Sequence, residues 1–323
     1  MLRKKRTKKV QKIKINVAYR RTRISPKFYE LACLHCNILK TDIIKTMKKP
    51  LVSIIVPTKN SCATLGACLE SIARQTYSPI EMIVVDNFST DNTPAIVKKY
   101  TKHFYSKGPE RSYQRNFAVA KSKGDYICII DSDMNLDPSV IEQCVIAMKS
   151  SPNIRGVIIP EESFGEGFWA QCKKLERSFY VGVSYMEAAR FFRKVDFQKL
   201  DGYNTQMVSG EDWDLSQRIE SLGKLSRVES FIYHNEGRIS LLRTIRKKFY
   251  YARVFGSYTQ ASNNTQKVVE QTSLIGRYKL FLSRPKKLFR NPLLGFGMLF
   301  MKTCEFGFGG IGYLAATIGR HNK

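Results

Sequence analysis

A five-residue apolar run, Tyr126-Ile127-Cys128-Ile129-Ile130, ends directly in two aspartates one residue apart, Asp131 and Asp133. Isoleucine-rich runs of this length read as a buried strand and are too short for most helices. Buried strands of open α/β sheets deliver their carboxyl ends to ligands. In an extended segment residues i and i+2 face the same way, which would send both carboxylates into one space. Two hard oxygen donors side by side suit Mg²⁺ or Mn²⁺ shared with a diphosphate. Asp-Ser-Asp is also ordinary turn chemistry, so its meaning depends on the rest of the chain.

The same pattern recurs. Leu51 to Pro57 reads as a strand, followed by a helix over roughly 62–75 with Leu65, Cys68, Leu69 and Ile72 at helical spacing. Ile80 to Val85 is a second strand, ending at Asp86, and Ser89-Thr90-Asp91-Asn92 supplies caps for a helix that carries Pro94 in its first turn. Asp137-Pro138 opens another helix, with Val140, Ile141, Cys144, Val145 and Met148 as its apolar stripe. Strands alternating with helices predict an α/β fold with a mainly parallel sheet flanked by helices. Asp86 and Asp131 then both lie at carboxyl ends of strands.

Charge divides the chain into three parts. Residues 1–50 carry net +14, residues 237–323 carry net +14, and residues 51–236 carry net −1, within a total of +27 over 323 residues. The reading is a basic leader over 1–46, a catalytic region over 47–236 and a basic C-terminal region over 237–323, with Met47 close to a natural start. Basic ends favour anionic surfaces, whether lipid head groups or nucleic acid. Cys33 and Cys36 lack a second pair at zinc-finger spacing, and no secretory apolar segment follows the basic start. Reduced thiols and a cytoplasmic compartment are therefore expected.

Four further places carry chemistry. Asp86 can accept hydrogen bonds from a base edge or a ribose, or cap the turn into the next helix. Arg115, in Arg115-Asn116, offers a guanidinium fork for phosphate. Gly210-Glu211-Asp212 opens a helix striped by Leu215, Ile219 and Leu222, and spacing puts Asp212 on that same face. A helix N-terminus favours the ionised carboxylate that a general base requires; Glu211 could serve as the cap. His234, closing Phe231-Ile232-Tyr233, can complete a metal shell or touch the diphosphate.

With these residues in hand, the stretch from about Leu51 to Gly237 resembles the family 2 glycosyltransferases, which have the GT-A (Rossmann-like) fold. Four landmarks occur in that family's order: Pro57-Thr58-Lys59-Asn60, Val84-Val85-Asp86-Asn87-Phe88-Ser89-Thr90-Asp91, Asp131-Ser132-Asp133 and Gly210-Glu211-Asp212. Arg115-Asn116 and Gly124-Asp125 also stand where the family has them. The resemblance implies a nucleotide-sugar donor held by Pro57, Thr58, Asn60, Asp86, Asn87, Arg115 and Asp131. It implies a divalent metal, Mn²⁺ or Mg²⁺, positioned by Asp131 and Asp133 with His234. Asp212, beside Glu211, would be the base on the acceptor hydroxyl, giving hexosyl transfer with inversion. The Gln-x-x-Arg-Trp sequence that often accompanies processive synthesis is missing, which points to transfer of a single sugar.

In the C-terminal region Leu241, Leu242, Ile245, Phe249 and Ala252 make one face of a helix flanked by Arg243, Arg246, Lys247 and Arg253. Such a basic amphipathic helix suits a membrane interface. Lys302 and Glu305 interrupt what would otherwise be an apolar span of about 20 residues. The expectation is peripheral association with the anionic inner face of the cell membrane and a lipid-linked or membrane-proximal glycan acceptor. The competing reading is a nucleic-acid or nucleotide-binding protein with basic arms and a degenerate core. The neutral body and the absence of a nucleic-acid motif weigh against it, and no nucleic-acid partner is expected. A nucleotidyltransferase is disfavoured because no glycine-rich phosphate loop follows the first strand.

Overall fold

The computed structural model describes residues 49–207, 209–254 and 265–321. The leader, the Cys33/Cys36 pair and the start at Met47 lie outside the described residues. Along the chain come β1 (Val52–Thr58), α1 (Leu65–Ala73), β2 (Ile80–Asp86), α2 (Thr93–Val97), β3 (Phe104–Ser106), α3 (Arg111–Lys121), β4 (Tyr126–Ile129), β5 (Met134–Leu136) and α4 (Val140–Ser150). Next are β6 (Ile154–Ile158), β7 (Glu161–Glu166), α5 (Phe168–Ser178), β8 (Ala189–Arg193), α6 (Lys194–Lys199), α7 (Glu211–Glu220), β9 (Lys224–Arg227) and β10 (Ile232–Arg238). The other described elements are α8 (Leu241–Val254), α9 (Thr265–Thr272), α10 (Leu274–Leu282), α11 (Pro285–Leu288) and α12 (Pro292–His321).

Seven strands form one sheet in the order β3-β2-β1-β4-β8-β6-β9. Neighbours are parallel except for the two pairs made by β8, which bears out the mainly parallel α/β reading. The strand order reverses at β1, with β2 on one side and β4 on the other. A reversal of this kind opens a crevice at the carboxyl ends of the strands. Register sets Thr58 opposite Asp86 and Ile55 opposite Ile129, so Thr58, Asp86 and Asp131 leave the sheet at one edge.

β1 shows why its sequence is a continuous apolar run rather than an alternation. Val52, Ile54 and Val56 pack with Leu65, Cys68 and Leu69 of α1 and with Ile141, Cys144 and Met148 of α4. Ile55 points the other way, into a second cluster with Ala118 and Val119 of α3 and Leu215 and Ile219 of α7. A strand covered on both faces has no solvent side to mark with polar residues.

Gly124, just before β4, lets that strand enter against β1. A Cβ there would lie 2.5 Å from Ser53 Oγ and 2.6 Å from Ser53 N, while Gly124 N–H donates to Ser53 Oγ at 2.9 Å. Gly124→Ala is expected to lower stability by about 1–3 kcal/mol, the usual cost of forcing extra volume into a packed site. A downward shift of the melting midpoint checks this.

A smaller sheet, β5-β10-β7, stands beyond the crevice. Its antiparallel pairing of β10 with β5 sets His234 opposite Met134, next to the Asp131–Asp133 turn.

The C-terminal helices correct one expectation and agree with another. The apolar face of α8 does not lie free for a membrane: Ile245 is buried, and a Cβ on Gly312 of α12 would sit 2.5 Å from Phe249 O. Most of that face is covered by α12, while Leu242 stays 69% exposed. Lys302 and Glu305 do interrupt the apolar stretch as expected, although α12 itself runs unbroken through both. Lys302 Nζ pairs with Glu176 Oε1 at 2.5 Å and with Glu305, and Lys173 Nζ pairs with Glu176 at 2.9 Å and Glu305 at 3.4 Å. Among the described residues no helix is long and apolar enough to cross a membrane.

Candidate active site

The crevice is built from strand ends tied to one another. Asp86 is buried, and its carboxylate accepts from Ser89 N at 2.7 Å and from Ser89 Oγ, so the turn-capping role is realised. Ser89 Oγ accepts from Asn60 N at 2.7 Å, and Asn60 Oδ1 accepts from Thr90 N at 2.8 Å. Pro57, Thr58, Asn60 and Asp86 thus share one rim. Thr58 Oγ1 is buried with no hydrogen-bond partner, a polar group left over for a ligand. Asn87 is turned to structure instead: Nδ2 donates to Pro109 O and its N–H to Thr58 O at 2.9 Å. Two residues escaped the sequence reading. Gln114 Nε2 donates to Thr58 O at 3.0 Å and Val85 O at 2.6 Å, pinning the ends of β1 and β2 together. Phe88 is largely exposed on this rim with φ +50, a backbone region that bulky side chains rarely enter.

Arg115 lies at the centre. It belongs to the inward face of α3, a helix the sequence did not announce, and its side chain is wholly buried. Nη2 donates to Asp131 Oδ1 at 2.7 Å; Nη1 donates to Asp212 Oδ1 at 2.9 Å and to Glu211 Oε1 at 3.3 Å. The guanidinium stacks 4.9 Å from the Tyr203 ring. Burial opposes its charge, but Asp212, Asp131, Tyr203 and Glu211 outweigh burial and raise its pKa well above the ordinary arginine value. Burial likewise opposes the charge of Asp131, yet Arg115, Arg190 and Arg111 hold that carboxyl far below the usual range.

On α7 the inward residue is Glu211, in line with buried Leu215 and Ile219, whereas Asp212 stays partly open. Glu211 rather than Asp212 thus occupies the apolar face, one position from where the spacing places it. Burial and the neighbouring Asp212 raise the Glu211 pKa against Arg115 and Arg111. Asp212 and Glu211 both line a pocket of about 290 Å³ together with Trp213, Arg111, Arg177, Arg190 and Tyr180. Arg190 Nε donates to Glu161 Oε1 at 2.5 Å, and its Nη1 lies 3.6 Å from Asp131 Oδ2.

Asp131 and Asp133 do not face one way. β4 ends at Ile129 and the chain turns, Met134 N–H donating to Asp131 O at 3.0 Å. Asp131 therefore meets Arg115 while Asp133 meets His234, with Oδ1 3.5 Å from Nε2. His234 Nδ1 is 3.4 Å from Glu236 Oε1. Among the described residues no three His, Cys, Asp or Glu converge to hold an ion. Asp133 supplies a hard oxygen donor that fits Mn²⁺ or Mg²⁺ when a substrate supplies further oxygens, and the His234 nitrogen beside it suits Mn²⁺ better than Mg²⁺.

The profile of Glycosyl transferase family 2 matches residues 53–208. That segment is a family 2 glycosyltransferase domain. The glycosyltransferase region is 25% identical over 203 residues to chondroitin synthase of Pasteurella multocida, covering 57% of this chain and 20% of that one. An uncharacterized glycosyltransferase of Haemophilus influenzae is 28% identical over 179 residues, covering 51% of this chain and 60% of its own. The chain thus spans less than two-thirds of the length of either relative. The mannosyltransferase PcManGT from Pyrobaculum calidifontis, solved with GDP-Man and Mn²⁺, has TM-score 0.51 at 16% identity, covering 84% of this chain and 76% of its own. This likeness is one of fold, and the GT-A expectation is borne out.

Proposed function

We propose that this glycosyltransferase moves one hexose from a nucleotide-sugar to a hydroxyl of a lipid-linked or membrane-proximal glycan, with inversion, at the inner face of the membrane. In this reading residues 47–236 are the catalytic region and 237–323 its membrane-facing extension. One observation carries it: Arg115 fastens Asp131, at the end of β4, to Asp212, at the mouth of the neighbouring pocket. A single fixed cation therefore sets the spacing between the donor side of the crevice and the acceptor side.

The donor's base and ribose would lie on the rim of Pro57, Thr58, Asn60 and Asp86, with its diphosphate toward Asp131. The acceptor would enter the pocket beside Asp212 and Trp213. Asp212 takes the proton of the acceptor hydroxyl as its oxygen bonds the anomeric carbon. The bond to the diphosphate oxygen breaks with its electron pair leaving on the nucleotide. One displacement inverts the carbon. Asp133 and His234 would hold a divalent ion which, when bound, offsets charge on the departing diphosphate. The fold-mate solved with GDP-Man and Mn²⁺ supports a nucleotide-sugar and a divalent ion here.

Asp133→Ala tests this assignment. Calorimetric binding of the preferred nucleotide-sugar should strengthen with Mn²⁺ in the wild type and lose that dependence in the variant. Turnover should fall at least ~10²-fold, comparable with losing one preorganised electrostatic contact. Unchanged Mn²⁺ dependence in the folded variant would remove Asp133 from the metal site.

A further inference from the structure

Helix α12 carries large apolar side chains on its outer face as well as its inner one. Its only two charges between Pro292 and Leu314, Lys302 and Glu305, are buried against α5. Met298 and Met301 pack inward beside them, but five large apolar side chains point outward: Leu293 is 70% exposed, Phe296 64%, Phe300 56%, Ile311 56% and Leu314 60%. At the helical period these five fall within a sector of about 60°, opposite the buried Met298 and Lys302, and extend along about 30 Å of helix. An apolar stripe of this length on a surface marks something that covers it. Immediately before α12, Arg284, Lys286 and Arg290 are exposed beside exposed Leu282.

We propose that this face of α12, with the Arg284–Arg290 cluster at its foot, docks the protein on an anionic lipid bilayer. It rests on the membrane-proximal reading above and replaces α8 as the interfacial element. The physical case is the pairing of a charge-free apolar stripe with an exposed basic cluster, the combination an interfacial helix presents to acyl chains and acidic head groups. A second copy of the chain is a poorer occupant, because two bodies of net charge +27 repel. The helix lies on the surface rather than across it, since its inner face is charged and held by Glu176 and Lys173.

The placement bears on the acceptor. α12 rests on α5: a Cβ on Gly297 would lie 2.4 Å from Phe168 Cζ and 2.8 Å from Cys172 Sγ. The end of α5 and the turn after it bring Arg177 and Tyr180 to the pocket beside Asp212. One helix thickness, about 10 Å, separates the bilayer-facing stripe from the element that walls the acceptor pocket. A lipid-linked acceptor would reach Asp212 without leaving the surface.

The experiment uses the full chain with phosphatidylcholine vesicles, with and without phosphatidylglycerol, read by co-flotation. The wild type should float with the phosphatidylglycerol vesicles and remain partly bound in high salt. The variant Leu293→Glu/Phe296→Glu/Ile311→Glu should bind at least ~10-fold more weakly, with unchanged melting midpoint and donor hydrolysis. Arg284→Gln/Lys286→Gln/Arg290→Gln should lose the preference for phosphatidylglycerol. Equal binding by the Glu variant, or complete release of the wild type by salt, would overturn the apolar docking face. A wild-type dimer dispersed by the Glu variant would overturn it in favour of a second copy. Donor hydrolysis is read on the same samples without vesicles, so a failed active-site assignment shows there and leaves the docking result to stand or fall by itself.

Discussion

Arg115→Ala is expected to abolish transfer and to weaken the fold. The substitution leaves Asp131, Glu211 and Asp212 facing one another around the space of a wholly buried side chain. Removing one partner of a buried ionic network typically costs about 3–5 kcal/mol, because the remaining charges stay out of water without compensation. Loss of activity from Ala alone would not separate folding from positioning, so Arg115→Lys is the sharper variant. A lysine keeps the charge but has a single ammonium, which cannot reproduce the fork that holds Asp131 at 2.7 Å and Asp212 at 2.9 Å together. We expect the Lys variant to melt cooperatively near the wild-type temperature while turnover falls about 10²-fold or more. Thermal melts and transfer rates on both variants check this. A Lys variant of near wild-type turnover would mean that the fork is not what spaces the two acids.

Asp212→Asn is the second large effect and of opposite kind. The substitution is isosteric and leaves Arg115 with Asp131 and Glu211, so the fold should be little affected. A positioned general base contributes about 10²–10⁴ in rate, and the turnover number should fall by that factor with donor affinity nearly unchanged. Glu211→Gln should behave differently, since Glu211 lies on the buried face of α7 against Arg111 and Arg115. It should move the melting midpoint more than the rate. Comparing turnover, donor affinity and melting for the two variants assigns the base. A rate loss confined to Glu211→Gln would exchange their roles.

How much of this could be read from the chain depends on what kind of signal each element carries. β1, β2 and β4 are legible because strands covered on both faces are written as apolar runs, and α1 and α4 because Leu65, Cys68, Leu69, Ile72 and Ile141, Cys144, Met148 repeat at the helical period. α3 is not legible, since its inward face includes Gln114 and Arg115 as well as Ala118 and Val119. Hydrophobic periodicity is blind to a face that is polar because it builds a site. β8 hides for a related reason, carrying buried Arg190 within Ala-Arg-Phe-Phe-Arg. The common direction inferred for Asp131 and Asp133 assumed an extended chain, and the turn after Ile130 ends that assumption. Asp212 was assigned to the wrong face by one position because it lies three residues from Leu215 and Glu211 four, and both spacings bring a side chain beside Leu215. The apolar stripe on α8 was read correctly as apolar, and most of it packs on α12 while Leu242 stays exposed. Sequence spacing shows that a face seeks cover and does not say whether a helix or a membrane provides it.

The central claim is that the crevice between β1 and β4 holds a nucleotide-sugar for transfer. The measurement that tests it most directly is donor hydrolysis by the purified chain across UDP-, GDP- and dTDP-sugars, with Mn²⁺ and with EDTA. Asp212→Asn and Asp133→Ala would be run beside the wild type. The account predicts turnover of one donor, dependent on Mn²⁺ and depressed in both variants. A cooperatively folded wild type that hydrolyses and binds none of them would contradict it.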